Sequence, residues 1–180
     1  MNTQHPWQGL VLWLTGPPAT GKTTLAKGLL ERFHEEGIIT LWLDSDDLRT
    51  AFTPHPTYSP EERDIFYGSI AHVAQRAAEG GVTVVISATA SKRSYREQAR
   101  QAVQRFVEVE LEASPEALRQ RDIKGLYQMA DSGQISGLPG VGTSYESAVS
   151  PELFLNSQEH TPEVLLQKIL TWLQQQWPLR

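Results

Sequence analysis

The sequence of 180 residues contains no cysteine. Disulfide frameworks, thiol catalysis and cysteine-ligated zinc or iron–sulfur sites are thereby excluded, and the absence fits a reducing cytoplasm. No window approaches the roughly 18 uninterrupted apolar residues that a bilayer-spanning helix requires, so no membrane partner is expected. The start, MNTQHPWQG, lacks a cationic stretch leading into a long apolar core, and no signal peptide is expected. Positive charge is short: 16 Lys and Arg against 21 Asp and Glu give a net charge of -5. A protein that neutralises duplex phosphates carries a basic excess or a long basic stripe, so no nucleic-acid partner is expected. The five histidines show no ligand spacing, which argues against a histidine metal site. Internal repeats and low-complexity blocks are absent.

What remains, 39% hydrophobic and 21% charged residues, is the mixture of one compact cytoplasmic domain over residues 1–180. Short apolar runs alternate with segments of helical periodicity, the pattern of an α/β fold around a mainly parallel sheet. Five strands are predicted, at 10–15, 40–43, 82–87, 106–111 and 152–155, with helices near 22–35, 60–79, 92–104, 115–130 and 162–176. The last helix is announced by Thr161 as N-cap, Pro162 at the first helical position, and Val164, Leu165, Ile169 and Trp172 at helical spacing.

After the first predicted strand comes Gly16-Pro17-Pro18-Ala19-Thr20-Gly21-Lys22-Thr23, a full match to G-x-x-x-x-G-K-[ST] between a strand and a helix. Glycines at these positions let backbone N–H groups turn toward an anion, at which the following helix also directs its positive end. Gly16, Thr20, Gly21, Lys22, Thr23 and Thr24 are therefore assigned to a nucleotide, with Lys22 on its β and γ phosphates and the Thr23 hydroxyl on Mg²⁺. These features extend the fold expectation to a three-layer P-loop NTPase-type arrangement. An ATPase motor or GTPase would place an acid on a later strand, yet VTVVISAT ends without one, and no N-K-x-D motif occurs. The acids instead follow the second strand, as Asp44-Ser45-Asp46-Asp47. Parallel topology carries that strand end to the rim of the phosphate loop, where a carboxylate can orient Mg²⁺ or accept a proton from an attacking hydroxyl. The competing reading makes Asp46 or Asp47 a cap of the short helix that follows, a role that needs only one acid.

Lys92, Arg93, Arg96 and Arg100 follow the third strand at near-helical spacing. Arg96 and Arg100 are read as a solvated face, whereas Lys92 and Arg93, nearer the sheet rim, stay as site candidates. Trp172 and Trp177 belong either to the core or to the surface of a homodimer. No Lys or Arg occurs between Lys124 and Lys168. The glycines at 133, 137, 140 and 142 there suggest a mobile, cation-free lid over about 132–150.

These residues resemble the adenylylsulfate kinase family of P-loop kinases. The likeness lies in Asp44-Ser45-Asp46-Asp47-Leu48-Arg49, similar to D-G-D-N-[LVI]-R, and in Tyr58-Ser59-Pro60-Glu61-Glu62-Arg63, similar to F-S-x-x-D-R. It lies above all in Arg121-Asp122-Ile123-Lys124-Gly125-Leu126-Tyr127, followed at family spacing by Gly133-Gln134-Ile135, Gly140-Val141, Tyr145-Glu146 and Pro151-Glu152. The resemblance implies transfer of the γ-phosphate of ATP to the 3′-hydroxyl of adenylylsulfate in sulfate activation. It makes Asp46 the general base, Asp44 a metal-orienting carboxylate, Lys124 a neutralising cation at the transferred phosphoryl, and Arg121 a nucleotide contact. Arg49, Tyr58, Arg63 and Arg93, with Phe66 and Leu138 at family contact positions, would hold the acceptor nucleotide.

The sequence departs from the family where the acceptor would bind. The family asparagine falls at Phe66, the arginines after it at Gly68 and Ser69, and the lid phenylalanine at Leu138. The family's I-S-P-Y-R corresponds to Thr89-Ala90-Ser91-Lys92-Arg93. A kinase of this architecture for another small hydroxyl acceptor is the nearest alternative. A nucleotide-binding regulatory module without turnover is the other, opposed by the retention of Asp46 and Lys124.

Overall fold

The computed structural model describes residues 5–53 and 55–178. Strand β1 (Val11–Thr15) leads through the phosphate loop into helix α1 (Lys22–Glu35), followed by β2 (Thr40–Asp44), α2 (Ser45–Phe52) and α3 (Pro60–Glu79). Next come β3 (Thr83–Ser87), α4 (Arg93–Ala102), β4 (Phe106–Glu112), α5 (Pro115–Gln120) and α6 (Leu126–Asp131). The two-residue strands β5 (Leu138–Pro139) and β6 (Gly142–Thr143) pair across a tight turn before β7 (Leu153–Asn156) and α7 (Pro162–Gln176). The main sheet runs β2-β3-β1-β4-β7, and all four of its ladders are parallel.

Central strand β1 is buried on both faces, which is why its sequence is apolar throughout rather than alternating. Leu12 and Leu14 join Leu25, Leu29 and Phe33 of α1 and Ile169 and Leu173 of α7 in one core layer. Val11 and Trp13 point the other way, against Ile70 and Ala74 of α3 and Tyr95 and Ala99 of α4. The result is the three-layer arrangement expected, with every strand end of the parallel sheet delivered to the phosphate-loop rim. Trp172 and Trp177 pack edge to face at 6.0 Å and lie, partly buried, against the first layer. The buried stripe of α7 is Leu165, Ile169, Leu170 and Leu173; Val164 stays outside it.

Two sequence expectations are corrected. The single helix over 115–130 is two, because Gly125 is left-handed (φ 67) and Asp122 accepts the backbone N–H groups of Leu126, Tyr127 and Gln128 at 2.8, 2.7 and 3.2 Å, starting a new helix. Nor is the α4 arginine face solvated. Arg96 is 1% exposed, its Nε 2.6 Å from Glu108 on β4, with further donations to the carbonyls of Ala90 and Glu146. Arg100 pairs with Glu152 at 2.6 Å and with Glu108 at 3.2 Å. Glu108 stands 8 residues and Glu152 52 residues after Arg100, and the folded sheet brings both beneath the helix.

Removing Arg96 leaves the buried Glu108 with only the longer Arg100 contact at 3.2 Å and frees the Ala90 and Glu146 carbonyls, so Arg96→Ala is expected to cost about 3 kcal/mol of folding stability, the lower end for a broken buried pair. Urea denaturation checks this; a loss below about 1 kcal/mol would mean that the pair carries no stability.

Candidate active site

The phosphate loop is held against the sheet. Gly16 has φ 134, and a Cβ there would lie 2.2 Å from the Leu111 carbonyl oxygen on β4, so only glycine passes. Ala19 adopts φ 65 without being glycine, a strained conformation of the kind that clusters at ligand clamps. Thr20 is buried and its hydroxyl donates to the Pro17 carbonyl at 2.9 Å, so it shapes the loop from within. Helix α1 has Gly21 (φ 93) as its N-cap, which offers no side-chain cap. Its first N–H groups are thus left without a side-chain acceptor, beside the loop, where the helix dipole adds positive potential.

Lys22 folds back onto this loop, donating to the carbonyls of Gly16 at 2.9 Å and Pro17 at 2.8 Å. Burial pushes its ammonium down from 10.5 to about 8, and the nearby carboxylates of Asp46 and Asp44 only partly offset this.

At the end of β2, the Asp44 carboxylate gathers three donors. It accepts the Thr23 hydroxyl at 3.1 Å, the Ser87 hydroxyl at 2.7 Å and the Asp46 backbone N–H at 2.9 Å. Asp44 is therefore the cap of α2, and Asp46 and Asp47 are its first-turn acids. The capping alternative for those two acids is thereby removed. Trp42 donates its indole N–H to Ser87 at 2.9 Å, steadying the second donor. The adjacent Thr23 and Asp44 oxygens are hard donors of the kind Mg²⁺ takes, usually only one or two from protein with the remainder from phosphates and water.

Asp46 projects toward Lys124, whose ammonium donates to its carboxylate. That hydrogen bond raises the Lys124 pKa. Lys124 arrives through the break between α5 and α6: Asp122 caps α6 and Tyr127 donates its hydroxyl to the Pro18 carbonyl at 3.1 Å, tying the segment to the phosphate loop. Lys22, Thr23, Thr24, Asp44, Asp46, Arg121 and Lys124 all line one cavity of about 710 Å³, which extends to Ser157–Pro162. This volume suits a nucleotide. Arg121 donates to the Ser157 carbonyl at 3.0 Å on the far wall.

The other predicted residues, those expected to hold the acceptor, are not among the residues that line this cavity. Arg49 pairs with Glu62 at 2.6 Å beneath the half-exposed Tyr58, and Arg63 reaches the Tyr58 carbonyl at 3.0 Å and the Gly137 carbonyl at 3.4 Å. Three of the proposed acceptor contacts are engaged elsewhere. Phe66 is 3% exposed and joins the α3–α4 core, because its ring packs on Tyr67 rather than facing solvent. Leu138 is 8% exposed and packs with Leu118 and Tyr127. Arg93 donates from its guanidinium to the Ser147 carbonyl at 3.0 and 3.1 Å and from its backbone to the Glu146 carboxylate at 2.8 Å. Trp42, Ser87 and Asp122 were missed as site residues; only the Asp-x-x-Gly spacing before α6 hinted at the last.

Fold and site together define a P-loop kinase: a phosphate loop, a hydroxyl–carboxylate pair at its rim, and a second carboxylate facing a lysine. The family model for adenylylsulphate kinase matches residues 8–156, and the chain belongs to that family. It is 35% identical over 150 residues to a probable adenylyl-sulfate kinase of Archaeoglobus fulgidus, covering 83% of this chain and 97% of the relative. To the adenylyl-sulfate kinase of a Picosynechococcus species it is 35% identical over 163 residues, 91% and 92% of the two chains. The structure of the Mycobacterium tuberculosis APS kinase in complex with AMPPNP and APS superposes with a TM-score of 0.86 at 27% identity, covering 93% of this chain and 98% of that one.

The lowered Lys22 pKa makes stability depend on pH. Below pH 8 both folded and unfolded chains carry the charge and folding bears its full desolvation cost; that cost is relieved as pH rises from about 8 toward 10.5. A bound polyphosphate should restore the charge. Binding of a non-hydrolysable ATP analogue at pH 8.5 is therefore expected to take up roughly half a proton or more per site. Calorimetry in buffers of differing ionisation enthalpy reads this, and Lys22→Ala should abolish it. Absence of uptake in the parent protein would contradict the buried, weakened ammonium.

Proposed function

We propose that the protein transfers the γ-phosphoryl group of ATP to the 3′-hydroxyl of adenylylsulfate, the phosphorylating step of sulfate activation, in the cytoplasm. The observation that carries this is the meeting of Asp46 with Lys124 at the mouth of the cavity that holds Lys22, Thr23 and Asp44. Phosphoryl transfer needs cations around the moving group and a base on the attacking hydroxyl, and little else from the protein. A module that only binds nucleotide has no use for the carboxylate opposite Lys124.

In this reading Lys22 exchanges the Gly16 and Pro17 carbonyls for the β and γ phosphates. Thr23 and Asp44 would hold Mg²⁺, which when bound neutralises charge on those phosphates. Asp46 accepts the proton of the 3′-hydroxyl, and Lys124, already beside it, neutralises the phosphoryl group in flight. Arg121 takes the nucleotide on the far wall, while Arg49, Tyr58 and Arg63 face the acceptor.

The proposed lid is narrower than the span 132–150. Tyr145 bonds Thr15 at 3.1 Å, the Glu146 N–H donates to Ser91 at 2.8 Å, and the Ala148 N–H donates to Glu110 at 2.6 Å. These contacts root its far end, leaving about residues 133–144 to close and keep water from the phosphoryl group.

ADP release with a panel of hydroxyl acceptors, adenylylsulfate included, tests the reaction. Asp46→Asn is expected to lower kcat by roughly 10²- to 10⁴-fold with ATP affinity kept, and Lys22→Ala to abolish transfer in a folded protein. The exposed Asp47, changed to Asn, should act only mildly. Equal losses at 46 and 47 would contradict the assignment of the base.

Subtilisin suits a test of the lid, since the span lacks Lys and Arg. Cleavage within 133–144 should be suppressed by ADP with adenylylsulfate; unaffected cleavage would rule out a closing cover.

A further inference from the structure

Arg49 is held more firmly than any surface cation needs to be. Its guanidinium carbon lies 3.9 Å from the centre of the Phe66 ring and 5.0 Å from that of Tyr58, while Nη1 donates to Glu62 at 2.6 Å. Glu62 is itself fixed by the Thr57 backbone N–H at 2.5 Å and hydroxyl at 2.6 Å. Phe66 cannot move aside either. Its edge packs on Tyr67 at 5.3 Å, and Tyr67 stacks on Tyr95 of α4 at 4.5 Å. A rigid aromatic column thus crosses α3 and α4 and ends in a ring face on which the cation rests. A guanidinium stacked on a ring keeps its in-plane N–H donors available for an anion. Arg63 differs, because it bonds the Gly137 carbonyl at 3.4 Å and is coupled to the proposed lid.

We propose that Phe66 is a positioning residue whose ring is the platform that aims Arg49 at the anionic group of the acceptor, so that acceptor affinity in this protein depends on that aromatic face. The proposal rests on the adenylylsulfate reading for the identity of the acceptor, but not for the stack itself.

Two readouts on Phe66→Leu and Phe66→Tyr separate these. The Arg49 Nε–H resonance, identified by its loss in Arg49→Lys, should be shifted upfield by the ring current in the parent and in Phe66→Tyr. In Phe66→Leu it should move most of the way toward the position of exposed arginines, the remainder being due to Tyr58 at 5.0 Å. In steady-state kinetics, Phe66→Leu should raise KM for adenylylsulfate about tenfold, with kcat and the KM for ATP within about twofold. Phe66→Tyr should restore the parent KM, and in an Arg49→Lys background Phe66→Leu should add little further loss. Identical behaviour of the Leu and Tyr variants, or fully additive effects with Arg49→Lys, would reduce Phe66 to core packing and overturn the proposal. An unshifted Arg49 resonance in the parent would overturn it as well. Failure of the parent to phosphorylate adenylylsulfate would contradict the functional reading alone, since the resonance still decides the stack.

Discussion

The site depends on one buried carboxylate. Asp44 is 7% exposed and would be costly to keep there as an unpaired charge, yet it receives donors from three elements: Thr23 of α1, Ser87 of β3 and the first turn of α2. Hydrogen bonds to a charged acceptor contribute about 1.5–3 kcal/mol each, so the set locks the phosphate-loop helix, two strands and the start of α2 into one geometry. Satisfying Asp44 orients the Thr23 hydroxyl beside it and sets where α2 begins. Where α2 begins fixes the direction of Asp46.

The opposite half of the site is brought in by a segment more than 70 residues later, and by ordinary helix physics. Asp122 caps α6, Gly125 permits the turn, and Tyr127 reaches the Pro18 carbonyl, so the short stretch bearing Lys124 is clamped at both ends against the phosphate loop. On the side proposed for the acceptor the constraint is different in kind. Arg49 rests on aromatic rings and on Glu62, and the root of the proposed lid is tied to β4 through Arg96 and Glu110. Rigid supports thus surround a short glycine-bearing stretch.

Local patterns were legible in the sequence and pairings between separate elements of the fold were not. Gly16 through Thr23 could be read directly, because a phosphate loop is specified by consecutive residues and by the strand and helix that flank it. The alternation of strands and helices gave the α/β class, and the parallel sheet follows from it. The partnership of Asp44 with Ser87 was hidden, since it comes from the β2–β3 register that sets these residues side by side. Arg96 and Arg100 looked like a solvated face because helical spacing reports which charges share a side, not whether carboxylates on β4 and near β7 await them. Phe66 looked like a lost polar contact; only the tertiary structure places its ring under the Arg49 guanidinium.

The most direct test of phosphoryl transfer to adenylylsulfate is the identity of the product. Phosphorus NMR of the protein with ATP, Mg²⁺ and adenylylsulfate should show a new phosphomonoester resonance, coupled to the ribose 3′ proton, growing in step with ADP. Release of ADP with only inorganic phosphate, or no reaction with adenylylsulfate while another hydroxyl compound is phosphorylated, would contradict it.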